Sequence, residues 1–274
     1  MSELVVRRLM IDLASPLPRH WCGGDAFRTA FFNALSMSFP VGEQFFIDAV
    51  RDGLKTLPAE KQAGYQAEVQ GFIGQEATHR RIHSLFNSHL EKQGLVNDWA
   101  PRAERNMQKL AGSNPRHALG ITAANEHFTA IFAEWLLRNH DLLDGCEPRL
   151  KTMWLWHSSE ESEHKNTAFD IYAALDGNHE WRIKWFRRIT FVFLSDTLRQ
   201  TINNLRRDRT LWQWQTWKSA ASFLFGQRGL IRQTYRPWRE YLRPDFHPNQ
   251  QASDLSARWL ADNRSSYSSV GASA

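Results

Sequence analysis

Apolar positions recur at alternating steps of three and four along much of the chain, the period of a helix that buries one face. One such seam runs Val69, Phe72, Glu76, His79, His83, Phe86, Leu90, and another runs Leu150, Trp154, His157, Glu161, His164, Ala168, Ile171. Breaks between the seams set the element boundaries. Asp25 is placed to cap a first helix from Ala26 to Leu54, in which Pro40 and Gly42 predict a kink that frees backbone beside Glu43 and opens a path for substrate. Pro58 starts a second helix reaching to Gly94, Ser113 or Asn114 before Pro115 opens a third, and Gly145 to Pro148 separates it from a fourth. Residues 1–24, punctuated by Pro16, Pro18, Gly23 and Gly24, read as an irregular N-terminal arm. The expected fold is therefore all-α: a four-helix bundle over 25–177, a helical appendage over 178–248 and a flexible Ser- and Ala-rich tail over 249–274.

Both seams carry acids and imidazoles where a bundle helix buries its side chains. Glu43, then Glu76 and His79, then Glu126, then Glu161 and His164 place four carboxylates and two histidines on four successive helices. That order is the ligand set by which a ferritin-like bundle holds two metal ions. Residues three apart on a helix differ by about 60° in azimuth and about 4.5 Å in rise, so each Glu-x-x-His pair can face one ion. In such sites the glutamates of the two pairs bridge the ions, here Glu76 and Glu161, while Glu43 and Glu126 each cap one. The competing reading is a buried network of carboxylates and imidazoles paired with arginines. It must place four acids in one layer without a metal, and an unpaired buried carboxylate costs several kcal/mol, an order-of-magnitude figure.

His157 and His83 extend the seams by one turn. His157 makes His-x-x-x-Glu-x-x-His and resembles the third histidine ligand of di-iron enzymes of the para-aminobenzoate N-oxygenase type, so it joins the candidate ligands. His83 is expected to hydrogen-bond a ligating group instead. Glu160, Glu163 and His127 lie about 100° or more from their ligating neighbours, which points to solvated or supporting positions. Small residues around Glu126, among them Ala123, Ala124, Thr129 and Ala130, leave room for a bound molecule, and Phe46 and Phe72 make an apolar substrate the expected partner.

Composition narrows the picture. With 274 residues, 42% of them hydrophobic, and 12 Trp with 17 Phe, the chain can bury a large core. No run of about 20 apolar residues predicts a membrane span, and the first ten residues lack the apolar centre of a secretory signal, so a cytoplasmic place is expected. Cys22 and Cys146, far apart in the chain, read as free thiols. The formal net charge of +5 is concentrated late: residues 182–243 hold fourteen Lys or Arg against Asp196, Asp208 and Glu240, interleaved with aromatics. Packing of the aromatic face on the bundle ranks first for this segment, peripheral contact with a membrane second and nucleic acid last.

Four segments carry a resemblance that covers about His20 to Pro248. They are Phe31 to Phe46, Gly74 to His79, Trp156 to His164 and Tyr241 to Pro248, and they resemble a bacterial family known as predicted metal-dependent hydrolases. The resemblance implies a ferritin-like bundle with Glu43, Glu76, His79, Glu126, Glu161 and His164 at the metal positions. Two reactions suit such a donor set. Iron, the first expectation for the two ions, would activate dioxygen to oxidise or oxygenate an apolar organic substrate. Alternatively two ions of zinc, manganese or iron would lower the pKa of a water for hydrolysis. Oxidation ranks first because a bundle interior is narrow and apolar, and a non-catalytic metal-binding protein ranks third.

Overall fold

A computed structural model describes residues 4–110, 112–251 and 253–270. Helices dominate it, as the seams predict. The first helix, α1 (Ala26–Thr56), starts where Asp25 accepts the amide of Arg28 at 2.9 Å. It is followed by α2 (Ala59–Lys92), a short α3 (Ala100–Gln108), and α4 (Pro115–Arg138) capped by Asn114. The fourth stretch of the sequence is two helices, α5 (Pro148–His164) and α6 (Thr167–Ala174), because the chain turns over Lys165 and Asn166 immediately after His164. Helices α7 (His179–Arg207), α8 (Trp214–Phe225), α9 (Leu230–Glu240) and α10 (Leu255–Asp262) complete the set.

The hairpin of α1 and α2 packs on a second unit of α4, α5 and α6. Their shared interior is apolar at both ends and polar between. At one end Phe32, Leu35, Phe86, Leu136 and Trp154 form a buried cluster, built from the first half of α1, the last of α2 and α4, and the start of α5. At the other end Phe46, Val50, Phe72, Leu119 and Ile171 form a second. The candidate metal residues occupy the layer between.

Pro40 lies inside α1 without ending it. Having no N–H, it leaves the Ser36 carbonyl without its helical donor. Asn87 Nδ2 of α2 supplies that donor at 2.9 Å, and Asn97 Nδ2 takes the neighbouring Met37 carbonyl at 2.7 Å. The exception in the helix thus becomes a docking point.

Both chain ends depart from expectation. The N-terminal arm is irregular only in part, because β1 (Arg7–Leu9) pairs antiparallel with β2 (Tyr267–Ser269), with Arg7 opposite Ser269. The segment expected to be a flexible tail therefore carries α10, which packs on α5 and α4, and β2; Ser256 Oγ donates to the Ser159 carbonyl at 2.7 Å. A close approach admits the arm. A Cβ on Gly71 of α2 would lie 2.5 Å from Leu4 Cβ and 2.9 Å from Leu4 O, and one on Gly74 would lie 2.3 Å from Val6 Cγ2. Cys22 and Cys146 also meet: they form an antiparallel bridge with their sulfurs 3.0 Å apart, both buried free thiols.

Beyond Gly177 the chain lays α7, α8 and α9 over α1 and α4. Phe223 packs on Phe27 and Phe31, Trp135 Nε1 donates to the Arg228 carbonyl at 3.0 Å, and Asn204 Nδ2 to the Ala30 carbonyl at 3.1 Å. Buried Arg182 donates to the carbonyls of Tyr241 and Arg243 at 2.7 Å each and lies over the Tyr241 ring. One face of the basic segment is therefore core. Among the described residues no helix is long and apolar enough to cross a membrane.

The arm's approach gives a direct test. Gly71→Ala forces a methyl into the Leu4 backbone and should cost about 1–3 kcal/mol of stability, the usual range for overpacking. Urea unfolding that shows no loss would mean the arm does not hold this position.

Candidate metal centre

The six residues with metal-ligand spacing come together in the polar layer, together with His157 and His83, and none of the eight is more than 4% exposed. Ligand atoms of Glu76, His79, Glu161 and His164 all lie within 4.8 Å of one another, and so do those of Glu43, His79 and His157. Glu126 faces the same layer from α4, with Oε2 3.0 Å from His164 Nδ1. His164 Nε2 lies 3.6 Å from Glu76 Oε1 and 3.8 Å from Glu161 Oε1.

Several of these atoms have nothing to bond. Both carboxylate oxygens of Glu43 and of Glu76, Oε1 of Glu126, Oε2 of Glu161, Nδ1 of His79 and Nε2 of His164 are buried without a hydrogen-bond partner. Converging lone pairs away from water are costly unless a cation sits among them. The donor set of carboxylate oxygens and imidazole nitrogens suits iron, manganese or zinc. The residues present therefore fit a pair of metal ions.

A chain of hydrogen bonds fixes how His157 presents itself. Asn87 Nδ2 donates to the Ser36 carbonyl, so its Oδ1 accepts from Ser36 Oγ at 2.7 Å. Ser36 Oγ can then only accept from His83 Nδ1, 2.8 Å away, which leaves His83 Nε2 as the acceptor for His157 Nδ1 at 2.6 Å. His157 Nε2 is left with its lone pair turned inward, 2.8 Å from Glu161 Oε1 and 4.0 Å from Glu43 Oε1. Two lone pairs at that separation need a cation beside them. His157 thus has the geometry of a ligand and His83 that of its support.

His79 is oriented by residues outside the spacing motif. Its Nε2 donates to Glu160 Oε2 at 2.9 Å, which turns the unpartnered Nδ1 to the centre. Glu160 is fully buried, in the supporting rather than the solvated of its two expected positions, and its other oxygen accepts from Arg7 NH1 at 3.1 Å. Arg7 also holds Glu163 at 2.7 Å, which in turn accepts from Gln75. His127 is buried as well but belongs to the core, donating to the Pro237 carbonyl at 3.1 Å beside the Tyr241 ring. A sequence signal for Glu160 existed. Positions 157, 160, 161 and 164 are the i, i+3, i+4, i+7 stripe of one helix face. For Arg7 there was none, since its role depends on how the arm docks.

Without a metal, protons take up the charge. Burial raises Glu43 and Glu76 well above the usual carboxylate range, with neighbouring carboxylates adding to the rise in Glu76. Glu126 is pushed up to about 7 by burial against the pull of His164. Glu161 goes the other way: burial opposes its ionisation, but His164 and the neighbouring imidazoles of His157 and His79 hold it well below. His79 rises to about 10, its burial outweighed by Glu160 and Glu161, while burial lowers His157 to about 4.

A cavity of about 360 Å³ reaches the centre at Glu43. Its walls come from α1, α3, α4 and α7, including Phe39, Phe45, Phe46, Ile121, Trp185, Ile189 and Phe193. Ser38, Phe39, Val41 and Gly42, which flank Pro40, form part of the wall, and so do Asn125 and Thr129. Phe72 is elsewhere, packed on the His164 ring with centroids 5.0 Å apart. The cations on the lining are Lys109 and Arg188, which pair with no carboxylate among the described residues, whereas Asp196 is neutralised by Arg102 at 3.0 Å.

A family model described as predicted metal-dependent hydrolase covers residues 5–252. No curated protein and no solved structure matches the chain.

Two predictions follow from the geometry. At pH 7 the metal-free centre retains protons on His79 and on part of Glu126, so loading with ferrous, manganous or zinc ion must displace them, and affinity must rise with pH. A pH-indicator dye should record proton release. The melting temperature should rise, since saturation a hundredfold above Kd adds about 2.7 kcal/mol; no release and no shift with any of the three ions would mean that no metal binds here. Second, His157→Ala should lower metal content below the roughly two ions per chain expected of such a centre. Glu160→Gln should keep the ions but weaken affinity about 10- to 100-fold. Equal metal retention in His157→Ala and wild type, by elemental analysis, would remove His157 from the ligand set.

Proposed function

The chain belongs to the family of predicted metal-dependent hydrolases, and on that premise we propose that it is a metal-dependent enzyme that hydrolyses an apolar small-molecule ester or amide at a buried two-metal centre. The observation that carries this reading is the adjacency of the partnerless donor layer and the apolar cavity, which meet at Glu43. Glu43, Glu76, His79, Glu126, His157, Glu161 and His164 would hold the ions. When bound, the ions supply Lewis acidity and lower the pKa of water to near neutrality.

The chain's own residues do the rest. Phe39, Phe45, Phe46 and Ile121 exclude bulk water and seat the apolar body of a substrate, while Asn125 and Thr129 offer the hydrogen bonds that orient its polar group. Lys109 and Arg188 favour an anionic end toward solvent. Glu126, whose carboxyl sits near neutrality without metal, and His164 beside it form the side that the cavity does not reach.

A second reading rests on the donors themselves. Four buried carboxylates with histidines in Glu-x-x-His order match the ferritin-like di-iron set, and hard oxygen donors stabilise ferric iron, which supports dioxygen-dependent oxidation of the same apolar substrate.

One experiment separates the two. Metal-loaded protein is assayed with medium-chain aryl esters and anilides in air and under nitrogen. Hydrolysis should persist unchanged without dioxygen and fall at least about a hundredfold in the chelated protein, the scale on which loss of the metal acts. Dioxygen consumption by the iron form with no ester or amide cleavage would replace the first reading by the second.

A further inference from the structure

The outward side of the layer formed by α7, α8 and α9 is unusual in two respects at once. Of fifteen exposed large hydrophobic residues among those described, ten fall between Trp181 and Tyr235. Trp212 is 92% exposed, and Phe191 and Trp214 are each 74% exposed. A soluble surface does not ordinarily spend indole rings in this way, whereas the boundary between lipid headgroups and acyl chains accommodates them. The same stretch carries the fourteen cations of residues 182–243 against three acids. Of these, Arg187, Arg206, Arg207, Arg209, Lys218 and Arg232 are exposed and have no ion-pair partner among the described residues.

Helix α7 shows how the surface is organised. At about 100° per residue its positions divide into three faces. Phe186, Thr197, Gln200 and Asn204 are buried toward α1 and α4; Trp185, Ile189, Val192 and Phe193 line the cavity; Lys184, Arg187, Phe191, Leu194 and Leu198 face solvent. Arg188 stands between the second and third faces, at the cavity lining and exposed. Because α7 packs on α1 and α4, α8 on α1 and α9 on α4, their remaining sides point away from the bundle. Amphipathic helices with aromatic and aliphatic side chains among unpaired cations are built to lie in the plane of an anionic interface.

We propose that the outer face of α7, α8 and α9 docks on the surface of an anionic lipid bilayer, with Phe191, Trp212 and Trp214 entering the headgroup boundary and the surrounding Lys and Arg meeting lipid phosphates and carboxylates. Docking in this orientation brings the edge of α7 that carries Arg188, and with it the cavity, next to the lipid. The attachment is peripheral and reversible. It does not depend on which reaction the metal centre supports.

The test uses the full metal-loaded chain and vesicles of phosphatidylcholine with or without about 30 mol% phosphatidylserine at low salt, a composition that gives a clear negative surface potential. Cosedimentation should be strong with the anionic vesicles, weak with neutral ones, and accompanied by a blue shift of tryptophan emission. A triple variant, Phe191→Ser, Trp212→Ser and Trp214→Ser, alters only exposed side chains and should lower binding roughly tenfold or more. A charge variant, Lys218→Glu with Arg232→Glu, should do the same; circular dichroism and metal content show that both remain folded. No cosedimentation of the wild type, or undiminished binding by the triple variant, would overturn the proposal. So would a lipid-free dimer in sedimentation velocity that the triple variant abolishes, which would assign the face to a second copy of the chain. Displacement from vesicles by a short DNA duplex that binds more tightly would assign it to nucleic acid.

Discussion

Four carboxylates buried in one layer are the constraint around which the rest of the molecule is arranged. Glu43, Glu76, Glu126 and Glu161 lie between two apolar clusters, one around Phe32 and Trp154 and one around Phe46 and Ile171, so water cannot screen them from either end. Ionised acids in such a place cost several kcal/mol each unless opposite charge is close, an order-of-magnitude penalty. Histidines supply only part of that charge: burial lowers His157 and His83, so the cationic share falls on His79 and His164. The metal-free chain holds protons on acids that the bound ions would relieve. Coordination and folding are therefore two aspects of one energetic problem.

A ring of supporting residues solves the geometric half of it. Pro40 removes one hydrogen bond from α1, Asn87 occupies the carbonyl so released, and the orientation of that amide propagates through Ser36 and His83 until His157 has only one way to present its Nε2. On the other side Arg7 on β1 holds Glu160, and Glu160 turns His79. Gly71 and Gly74 are small because the arm bearing Arg7 lies directly on α2. A helix defect and a two-stranded pairing remote in sequence thus serve the same ligands.

The helical architecture was legible because apolar periodicity and Pro, Asn and Asp punctuation are local signals; Asp25, Asn114 and Pro115 mark the helix starts where they were read. The meeting of the Glu-x-x-His residues with Glu43 and Glu126 was legible for the same reason, since spacing and seam position place them on inward faces. Of the two positions open to Glu160, solvated or supporting, the structure has the supporting one, because it lies on the same stripe as His157 and Glu161. Arg7, α10 and β2 were hidden. Short segments rich in Ser or Pro acquire structure through partners distant in the chain, and periodicity carries no record of those partners. The helix break after His164 is likewise tertiary: the capping signals in Lys165 and Asn166 are weak, while Thr167 binds Glu68 on α2 at 2.9 Å.

The internal repeat, with 33 residues from Glu43 to Glu76 and 35 from Glu126 to Glu161, gives two half-sites of similar composition, but their surroundings make them unequal. Glu43 borders the cavity and has His157 as an additional donor nearby, whereas His164 is packed under Phe72 and Glu126 is fully buried beside it. Among the described residues the cavity therefore meets the centre from the Glu43 side. The third imidazole lies on that same side, where it offers a donor without the negative charge that a second carboxylate would bring. A bundle with equivalent half-sites would need a symmetric opening. This one closes one half with apolar packing and leaves the other to the cavity under α7, so the two halves of the centre differ in what can reach them.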